Sequence, residues 1–408
     1  MSGRTILVWF RNDLRTHDNE VLVRALENGN RIVPVYCVDP SQFGITEYGN
    51  RKTGVLRTAF ILRNVEALKN QFRKVGGDLL IGFGKPQDIL PELCQSLGVD
   101  EVYHHREVAF EETQESSEVE AALWQQKINL RHFIGHTLYH KEDLPFPVRD
   151  IPDNFAQFRK KTERESQVRP QFEKPKQLKF RADLPETSIP ALAELGFSAD
   201  EIQLVENLEL QGGEELAFKK LTNFLNRTDR IETEIQVSAY VSCGALSPNT
   251  LYHALIDAAQ DDPGSKKLWE QQLTKLMWRD YYRFMFKKHG NLFFKPEGLM
   301  DKAPEVSTDA DLAFENWKNG NTGEPLVDEA MQQLNQRGII SDQQRQFTAS
   351  YLVHVLKGNW LAGAAWFEEK LLDYNPCSNY GNWAHIAGVG SSAKENKPLD
   401  LQKLVALL

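Results

Sequence analysis

A chain of 408 residues has the length of two or three domains, and its 41% hydrophobic and 26% charged residues argue against a disordered protein. The formal net charge of −9 disfavours a protein that simply coats nucleic acid, although a local basic face is compatible with it. These totals indicate a multidomain globular protein.

Four widely spaced cysteines without a CxxC pair exclude the usual zinc-binding motifs. So few cysteines are typical of a reducing compartment, which predicts a cytoplasmic protein. The opening residues MSGRTILVWF lack the basic-then-apolar pattern of a signal peptide. No apolar run reaches the roughly 18 residues of a membrane helix, so we expect no membrane partner. The absence of zinc-binding motifs leads us to expect no bound metal.

The first third of the chain alternates between strand-like and helix-like segments. Four short runs rich in β-branched or aromatic residues predict strands buried on both faces: 5–10, 32–38, 78–84 and 101–105. Helical patterns lie between them, and this alternation predicts a parallel, doubly wound sheet wrapped by helices. The carboxyl ends of such strands bind ligands. Here they carry RNDLR and DPSQF, whereas the dinucleotide and P-loop motifs are absent.

The character of the chain changes between 136 and 197, where seven prolines recur. The segment 159–181 contains nine Lys or Arg and three Glu, a local charge of +6. A solvated connector and a basic strip for phosphates are both compatible with this composition. We therefore divide the chain into an α/β domain at 1–135, a connector at 136–197 and a helical domain at 198–408.

From residue 198 onward nearly all patterns are helical, and Gly, Pro and Asn separate them. Ser247 and Pro248 form a favourable helix start, because Ser is a good N-cap and Pro fits the first turn. Six of the eight tryptophans fall in this half: Trp269, Trp278, Trp317, Trp360, Trp366 and Trp383. Such residues fill a helical core, and neighbouring indoles can alternatively pass an electron stepwise. The residues alone leave both interpretations open.

The stretch DYNPCSNYGNW at 373–383 crowds three asparagines and three aromatic residues into eleven positions. This composition suits neither a helix nor a strand and predicts an aromatic-flanked loop. Asn amides offer a donor and an acceptor to a ring nitrogen that changes protonation on reduction, but they can equally satisfy the backbone of a turn. Arg279 and Arg345 lie in helical patterns, where either could neutralise a diphosphate or pair with Asp373. A flavin pocket is the hypothesis that unites these features.

Several long motifs resemble the cryptochrome/photolyase family, and specifically its cryptochrome DASH branch. ILVWFRNDLRTHDN is similar to the opening of that family, and GHTLYHKEDLPFPVRDIPDNFAQFRK resembles the DASH branch. LMWRDYYRFMFKKHGN, WKNGNTGEPLVDEAMQQL and DYNPCSNYGNWAHIAGVG match the same branch in order and spacing. The resemblance spans roughly residues 4 to 392.

The resemblance implies a photolyase-type α/β domain followed by an all-α FAD-binding domain. It implies FAD as the cofactor, with a folate antenna, methenyltetrahydrofolate, as an optional second chromophore in the α/β domain. In this family a tryptophan triad photoreduces the flavin. By motif match the triad is Trp383 at the inner end, then Trp360, with Trp317 outermost.

The resemblance also implies contacts of the two chromophores. Asn379 stands where the family places a side chain against flavin N5. Asp373 and Arg345 match the ion pair beside the isoalloxazine ring, and Glu107 is similar to an antenna-contacting glutamate. The flavin contacts implied by motif match are Ser238, Arg279, Asp342, Arg345, Asp373, Asn375 and Asn379.

The segment that holds the FAD diphosphate departs from the family pattern Thr-Ser-x-Leu-Ser. Only Ser238 of its hydroxyls is retained, whereas Glu234 and Ile235 replace Thr and Ser. A carboxylate repels a diphosphate by about 1 kcal/mol at roughly 4 Å in water, so we expect weakened FAD contacts here. The preceding FLNRTDRIE is shorter than the resemblance leads us to expect, and the terminal PLDLQKLVALL is interpreted as an altered or truncated end.

The positions that contact a pyrimidine dimer in repair enzymes have changed as well. Lys275 takes the place of a glutamate, Asp342 of an asparagine, and Gln346 of an apolar or amide residue. His385 stands where repair enzymes have an aromatic lid, and of these contacts only Trp278 is retained. These changes predict inefficient dimer repair.

Two alternative functions follow. The first is a monomeric, cryptochrome DASH-like blue-light flavoprotein, with deoxyribodipyrimidine photolyase activity on single-stranded or lesion-containing DNA as an open question. The second is a cofactor-poor binding or signalling protein of the same fold, without enzymatic activity. The retained tryptophans and pocket residues favour the first, whereas the altered diphosphate segment motivates the second.

Overall fold

The computed structural model describes residues 3–208, 210–226 and 230–391. It divides into two compact units, which we call the sheet unit (Met1–Gly44, Thr58–His140 and Gln167–Leu276) and the helical unit (Ile45–Arg57, Lys141–Ser166 and Met277–Leu408). The terminal PLDLQKLVALL and the middle of FLNRTDRIE, both singled out from the sequence, lie outside the described residues.

The sheet unit contains a five-stranded, fully parallel sheet, which confirms the predicted α/β class. Its strands are β1 (Thr5–Phe10), β2 (Arg31–Val38), β3 (Leu80–Phe83), β4 (Glu101–His105) and β5 (Asn129–Phe133). Their order in space is β3-β2-β1-β4-β5, so the direction of winding reverses between β1 and β4. The sequence did not predict β5, because this edge strand carries Arg131 and His132 in place of an apolar run.

The described residues form α-helices along the whole chain. In chain order these are α1 (Glu20–Ala25), α2 (Val55–Arg73), α3 (Pro86–Leu97), α4 (Phe110–Gln125), α5 (Phe155–Glu165), α6 (Ala199–Asn207), α7 (Glu214–Leu225), α8 (Arg230–Cys243), α9 (Pro248–Asp261), α10 (Lys266–His289), α11 (Ala310–Asn319), α12 (Pro325–Arg337), α13 (Asp342–Ser350), α14 (Trp360–Lys370) and α15 (Pro376–Ile386). The helical prediction from residue 198 onward is thereby confirmed. None of these helices is both long and apolar enough to span a bilayer.

The core of the sheet unit follows from the strand composition. Every residue of β1 is buried, as its unbroken apolar run predicts. Leu7 and Val33 belong to one buried cluster with Leu90 of α3 and Leu123 of α4. Helices therefore cover the sheet and leave the carboxyl ends of its strands as the edge where a ligand can bind.

The stretch 373–383 corrects one prediction. We expected a loop there, but Pro376 onward forms the helix α15. An Asn-Pro pair supplies an N-cap and a first-turn proline, which are favourable helix-start residues. Tertiary burial of Tyr380 and Trp383 then stabilises a helix that local composition disfavours.

Candidate functional site

Helix α15 places the central candidate residues on one buried face of the helical unit. Asn375 caps the helix, since its Oδ1 accepts a hydrogen bond from the backbone N–H of Ser378 at 3.2 Å. Asn379 and Trp383 follow with a spacing of four residues, which aligns both side chains along the same face. Asn375, predicted as a flavin contact, thus has a structural role in starting the helix that carries the other two.

One contact sets the orientation of Asn379, which is 8% exposed. Its Nδ2 donates a hydrogen bond to the backbone oxygen of Ala364 in α14 at 2.9 Å. One of the two amide hydrogens is therefore used between α14 and α15, and Oδ1 is an acceptor that can meet a ligand N–H. In this orientation Asn379 suits a ring nitrogen that gains a proton when the ring is reduced.

Arg345 and Asp373 form an ion pair within the helical unit. Arg345 Nη2 lies 2.9 Å from both carboxylate oxygens of Asp373, and its Nε donates to the backbone oxygen of Ile340 at 3.2 Å. Burial works to lower the pKa of Arg345, but the charges of Asp373 and Asp342 raise it above its ordinary value. The negative charges of Asp373 and Asp342 therefore keep the guanidinium of Arg345 charged.

The indole of Trp383 is 2% exposed and packs on Gly363, where a Cβ atom would come within 2.4 Å of the ring. Only glycine at this position lets α14 approach the ring so closely. Trp317 meets Trp383 edge to face, with ring centroids 6.1 Å apart. Phe367 lies 5.1 Å from Trp383 and 6.0 Å from Trp317, and the sequence offered no signal that would identify it.

Trp317 and Trp360, the other two members of the predicted triad, are both buried, and each donates its indole N–H to a backbone oxygen. Trp317 is 0% exposed and donates its Nε1–H to the backbone oxygen of Thr348 at 3.0 Å. Trp360 is 3% exposed, and its Nε1 donates to the Pro296 oxygen at 3.0 Å. Trp317 is in ring contact with Trp383, and the order of the three indoles along an electron path stays a prediction. Motif order along a sequence carries no information on burial.

Trp278 is already engaged in packing within the helical unit. Phe155 of α5 stacks on its ring, with centroids 3.7 Å apart and an interplanar angle of 13°. Tyr282 lies against the same ring at 5.4 Å. The other predicted side chains here are two half-buried ones, Arg279 and His385, and two exposed ones, Asp342 and Gln346.

Two unusual residues of the sheet unit form an ion pair with each other. Glu234 of α8 and Lys275 of α10 are in salt-bridge contact, with side chains 28% and 45% exposed. Lys275, which we expected to alter the lesion pocket, therefore neutralises Glu234, which we expected to repel the diphosphate. Ser238 lies one turn after Glu234 and is half-buried, whereas the side chain of Ile235 lies outside the described residues.

Glu107 belongs to a polar cluster that follows β1 and β4, where the winding of the sheet reverses. Its Oε1 accepts a hydrogen bond from Asn12 Nδ2 at 3.0 Å and lies 3.2 Å from His136 Nε2. Beside it His105 Nδ1 lies 2.7 Å from Asp13 Oδ2, and the two imidazole rings are 5.1 Å apart. This edge is where doubly wound sheets bind ligands, so the cluster is the candidate ligand site of the sheet unit.

The Asp13–His105 pair predicts a loss of stability in acid. Burial works to raise the pKa of Asp13, but the charge and hydrogen bond of His105 outweigh it and lower the pKa from 3.8 to about 2. A carboxyl whose pKa is depressed on folding stabilises the fold above its unfolded pKa, here by about 2 kcal/mol, and this is lost as pH falls from about 4 to about 2. Asp13→Asn should remove this dependence from urea unfolding curves.

The exposed Asp88 of α3 provides the matched control, because Asp88→Asn should leave the acid dependence of unfolding unchanged. An Asp13→Asn protein that still loses the same free energy between about pH 4 and about pH 2 would contradict the assignment to this carboxyl.

Comparisons with known proteins give matches over most of the chain. The family model described as DNA photolyase matches residues 6–177, and the one described as FAD binding domain of DNA photolyase matches residues 272–399. The chain is 36% identical to Cryptochrome DASH of Gloeobacter violaceus over 407 residues, which covers 97% of this chain and 81% of the relative. It is also 36% identical to Cryptochrome DASH of Danio rerio, with coverage of 98% and 80%.

Two solved structures give the same result for the fold. The cryptochrome of Synechocystis sp. matches with a TM-score of 0.90 and 36% identity, over 100% of this chain and 86% of that chain. A bacterial class III photolyase from Agrobacterium tumefaciens matches with a TM-score of 0.84, over 99% of this chain and 84% of that chain. The second match, at 23% identity, establishes a shared fold alone.

Proposed function

Because this chain belongs to the cryptochrome/photolyase family, in its cryptochrome DASH branch, we propose that it is a blue-light flavoprotein whose FAD is reduced through Trp383. The observation that carries the proposal is the buried face of α15, where Asn379 and Trp383 lie four residues apart. The cofactor-poor alternative loses its main support, because Lys275 neutralises the charge of Glu234.

The donor groups of the helical unit have the chemistry that a flavin ring requires. Bound FAD supplies one-electron redox chemistry driven by blue light. Asn379 Oδ1 is the acceptor for a ring N–H, and its position is held by the hydrogen bond to Ala364. Arg345 provides a charged guanidinium that favours added negative charge nearby, and Asp373 orients it. Trp383, which we propose as the electron donor, lies on the same face of α15 as Asn379.

Two finer assignments complete the cofactor proposal. FAD belongs to the helical domain at 198–408, where the other contacts proposed by motif match are Ser238, Arg279, Asp342 and Asn375. A folate antenna belongs to the α/β domain at 1–135, with Glu107 as its contact, and this is supported by the polar cluster beyond β1 and β4. Extraction and chromatography of the bound chromophores would identify both.

Purified protein provides the decisive experiment on the whole proposal. It should carry FAD, or bind it on reconstitution, and blue light with an external reductant should bleach the oxidised flavin absorption. A colourless protein that cannot be reconstituted would instead support the non-enzymatic alternative.

DNA is the proposed partner, and a monomer in a reducing cytoplasm is the proposed state. The basic segment 159–181 supports phosphate contacts, and all four cysteines are free thiols.

Dimer repair has no support in the geometry, since Phe155 covers Trp278. Labelled single-stranded DNA should bind with an affinity that falls as salt rises. Undetectable binding at low salt would contradict the partner, and light scattering would test the monomer.

The Glu234–Lys275 pair predicts how charge in this segment affects FAD affinity. Lys275→Glu leaves the charge of Glu234 without its neutralising partner, and repulsion of about 1 kcal/mol between a carboxylate and the diphosphate at roughly 4 Å corresponds to a Kd about fivefold weaker. Titration of the apoprotein with FAD would measure this change. The swapped variant Glu234→Lys with Lys275→Glu restores the pair and should restore the Kd. An unchanged Kd for Lys275→Glu alone would show that the pair does not influence FAD binding.

A further inference from the structure

Glu368 of α14 is a buried carboxylate that receives two phenol groups. Glu368 is 7% exposed, and its Oε2 accepts a hydrogen bond from the Tyr380 hydroxyl at 2.8 Å. Tyr374 hydrogen-bonds to the same carboxylate. Tyr380 is itself 7% exposed, so its phenolic proton faces an internal base and not bulk water.

Arg57 supplies the charge that lets a carboxylate exist at this depth. Its Nη2 donates to the backbone oxygens of Lys52, at 2.8 Å, and of Glu368, at 2.6 Å. Burial raises the pKa of Glu368 above its ordinary value, while the positive charge of Arg57 opposes that rise. The result is a carboxylate more basic than one in water, in hydrogen-bond contact with a phenol.

The two phenols differ in how easily they can lose an electron. The guanidinium of Arg57 lies over the ring of Tyr374, 4.4 Å from its centroid. A cation over an aromatic face is attracted to the electron-rich ring, and it disfavours removal of an electron from that ring. Tyr380 instead packs against the neutral ring of Phe294 at 4.7 Å. Of the two, Tyr380 is therefore the easier to oxidise.

Tyr380 also lies beside the proposed electron path. It precedes Trp383 by three residues on α15, so the two side chains are neighbours along the helix surface. The segment that contributes Phe294 continues to Pro296, whose backbone oxygen binds the indole of Trp360. Since Trp317, Trp360 and Trp383 are all buried, an oxidised indole among them is not stabilised by direct contact with water.

We propose that Tyr380 is a redox-active terminal donor and that Glu368 takes its proton. This rests on the proposed function, because the oxidant is the indole radical cation left when Trp383 gives up an electron. One electron passes from Tyr380 to that indole and restores it to its neutral form. The phenol O–H bond breaks, and the proton goes to Glu368 Oε2 to form a carboxylic acid. The products are a neutral tyrosyl radical and a neutral indole, so return of the electron requires return of the proton.

The test uses flavin-free protein, so that it does not depend on FAD. A photogenerated ruthenium(III) tris-bipyridine complex oxidises the protein, and electron paramagnetic resonance identifies the radical. Wild type and Tyr374→Phe should both give a neutral tyrosyl signal. Tyr380→Phe should lose it and leave a tryptophanyl signal. Glu368→Gln keeps a hydrogen-bond acceptor but cannot take the proton in this way, so it should also lose the tyrosyl signal. Circular dichroism would confirm that each variant is folded.

A wild-type protein that gives only a tryptophanyl radical would overturn the proposal, and so would a tyrosyl signal that survives in Tyr380→Phe. In the FAD-loaded protein, light-driven reduction of Tyr380→Phe should revert faster in the dark than that of wild type or Tyr374→Phe. Absence of photoreduction in wild type would remove the proposed function, whereas the flavin-free experiment would still decide the role of Tyr380.

Discussion

Trp383→Phe is expected to abolish light-driven reduction of FAD while leaving FAD binding intact. The indole is 2% exposed and lies against Gly363, Phe367 and Trp317, so a phenylalanine ring fills most of the same space. The cavity left behind should cost on the order of 1–2 kcal/mol of unfolding free energy, too little to unfold a domain. Phenylalanine is much harder to oxidise than tryptophan, and the electron path is interrupted at its first member.

The measurement is bleaching of the oxidised flavin absorption under steady blue light with an external reductant. Trp269→Phe is the matched control, because Trp269 is 1% exposed and packs against Phe224 in the sheet unit. That variant should photoreduce at the wild-type rate. If Trp383→Phe photoreduces as fast as the control, electrons reach the flavin by a route that does not include this indole.

The architecture was predictable because its signals are local. The continuous apolar run of β1 is buried along its whole length, and strand–helix alternation correctly indicates a parallel sheet. β5 lacked such a run because an edge strand needs apolar residues on few of its positions. The segment 373–383 was misassigned because one cap and tertiary burial outweigh its poor helix composition.

The members of the candidate site were proposed from motifs and their roles stay predictions, whereas their arrangement could not be predicted from the sequence. Arg345 and Asp373 are 28 residues apart, and the residues alone left Arg279 and Arg345 both open as partners of Asp373, whereas the family resemblance selected Arg345. Glu234 and Lys275 are 41 residues apart and were interpreted as two separate defects, whereas in the structure each neutralises the other. Burial of Trp317 is likewise a property of the fold. Long-range pairing and depth depend on the packing of helices, which residue patterns along one chain do not encode.

Asp373→Ala is expected to lower the free energy of unfolding by about 3 kcal/mol, because breaking a buried ion pair leaves an uncompensated charge. The side chain of Asp373 is 6% exposed and that of Arg345 is 24% exposed, so water can compensate only part of the loss. FAD affinity should fall as well, since Arg345 loses the partner that orients it. Urea unfolding and FAD titration measure the two effects, and Asp311→Asn, at an exposed position of α11, should change both little.

The double variant Arg345→Met with Asp373→Leu separates the structural role of the pair from its role toward the cofactor. Apolar side chains of similar volume often replace a buried ion pair with little loss of stability. We therefore expect the double variant to recover most of the unfolding free energy lost in Asp373→Ala but not the FAD affinity. If it recovers both, the guanidinium serves only to hold α13 near Asp373. If Asp373→Ala is as stable as wild type, the ion pair is solvated and contributes nothing to the free energy of unfolding.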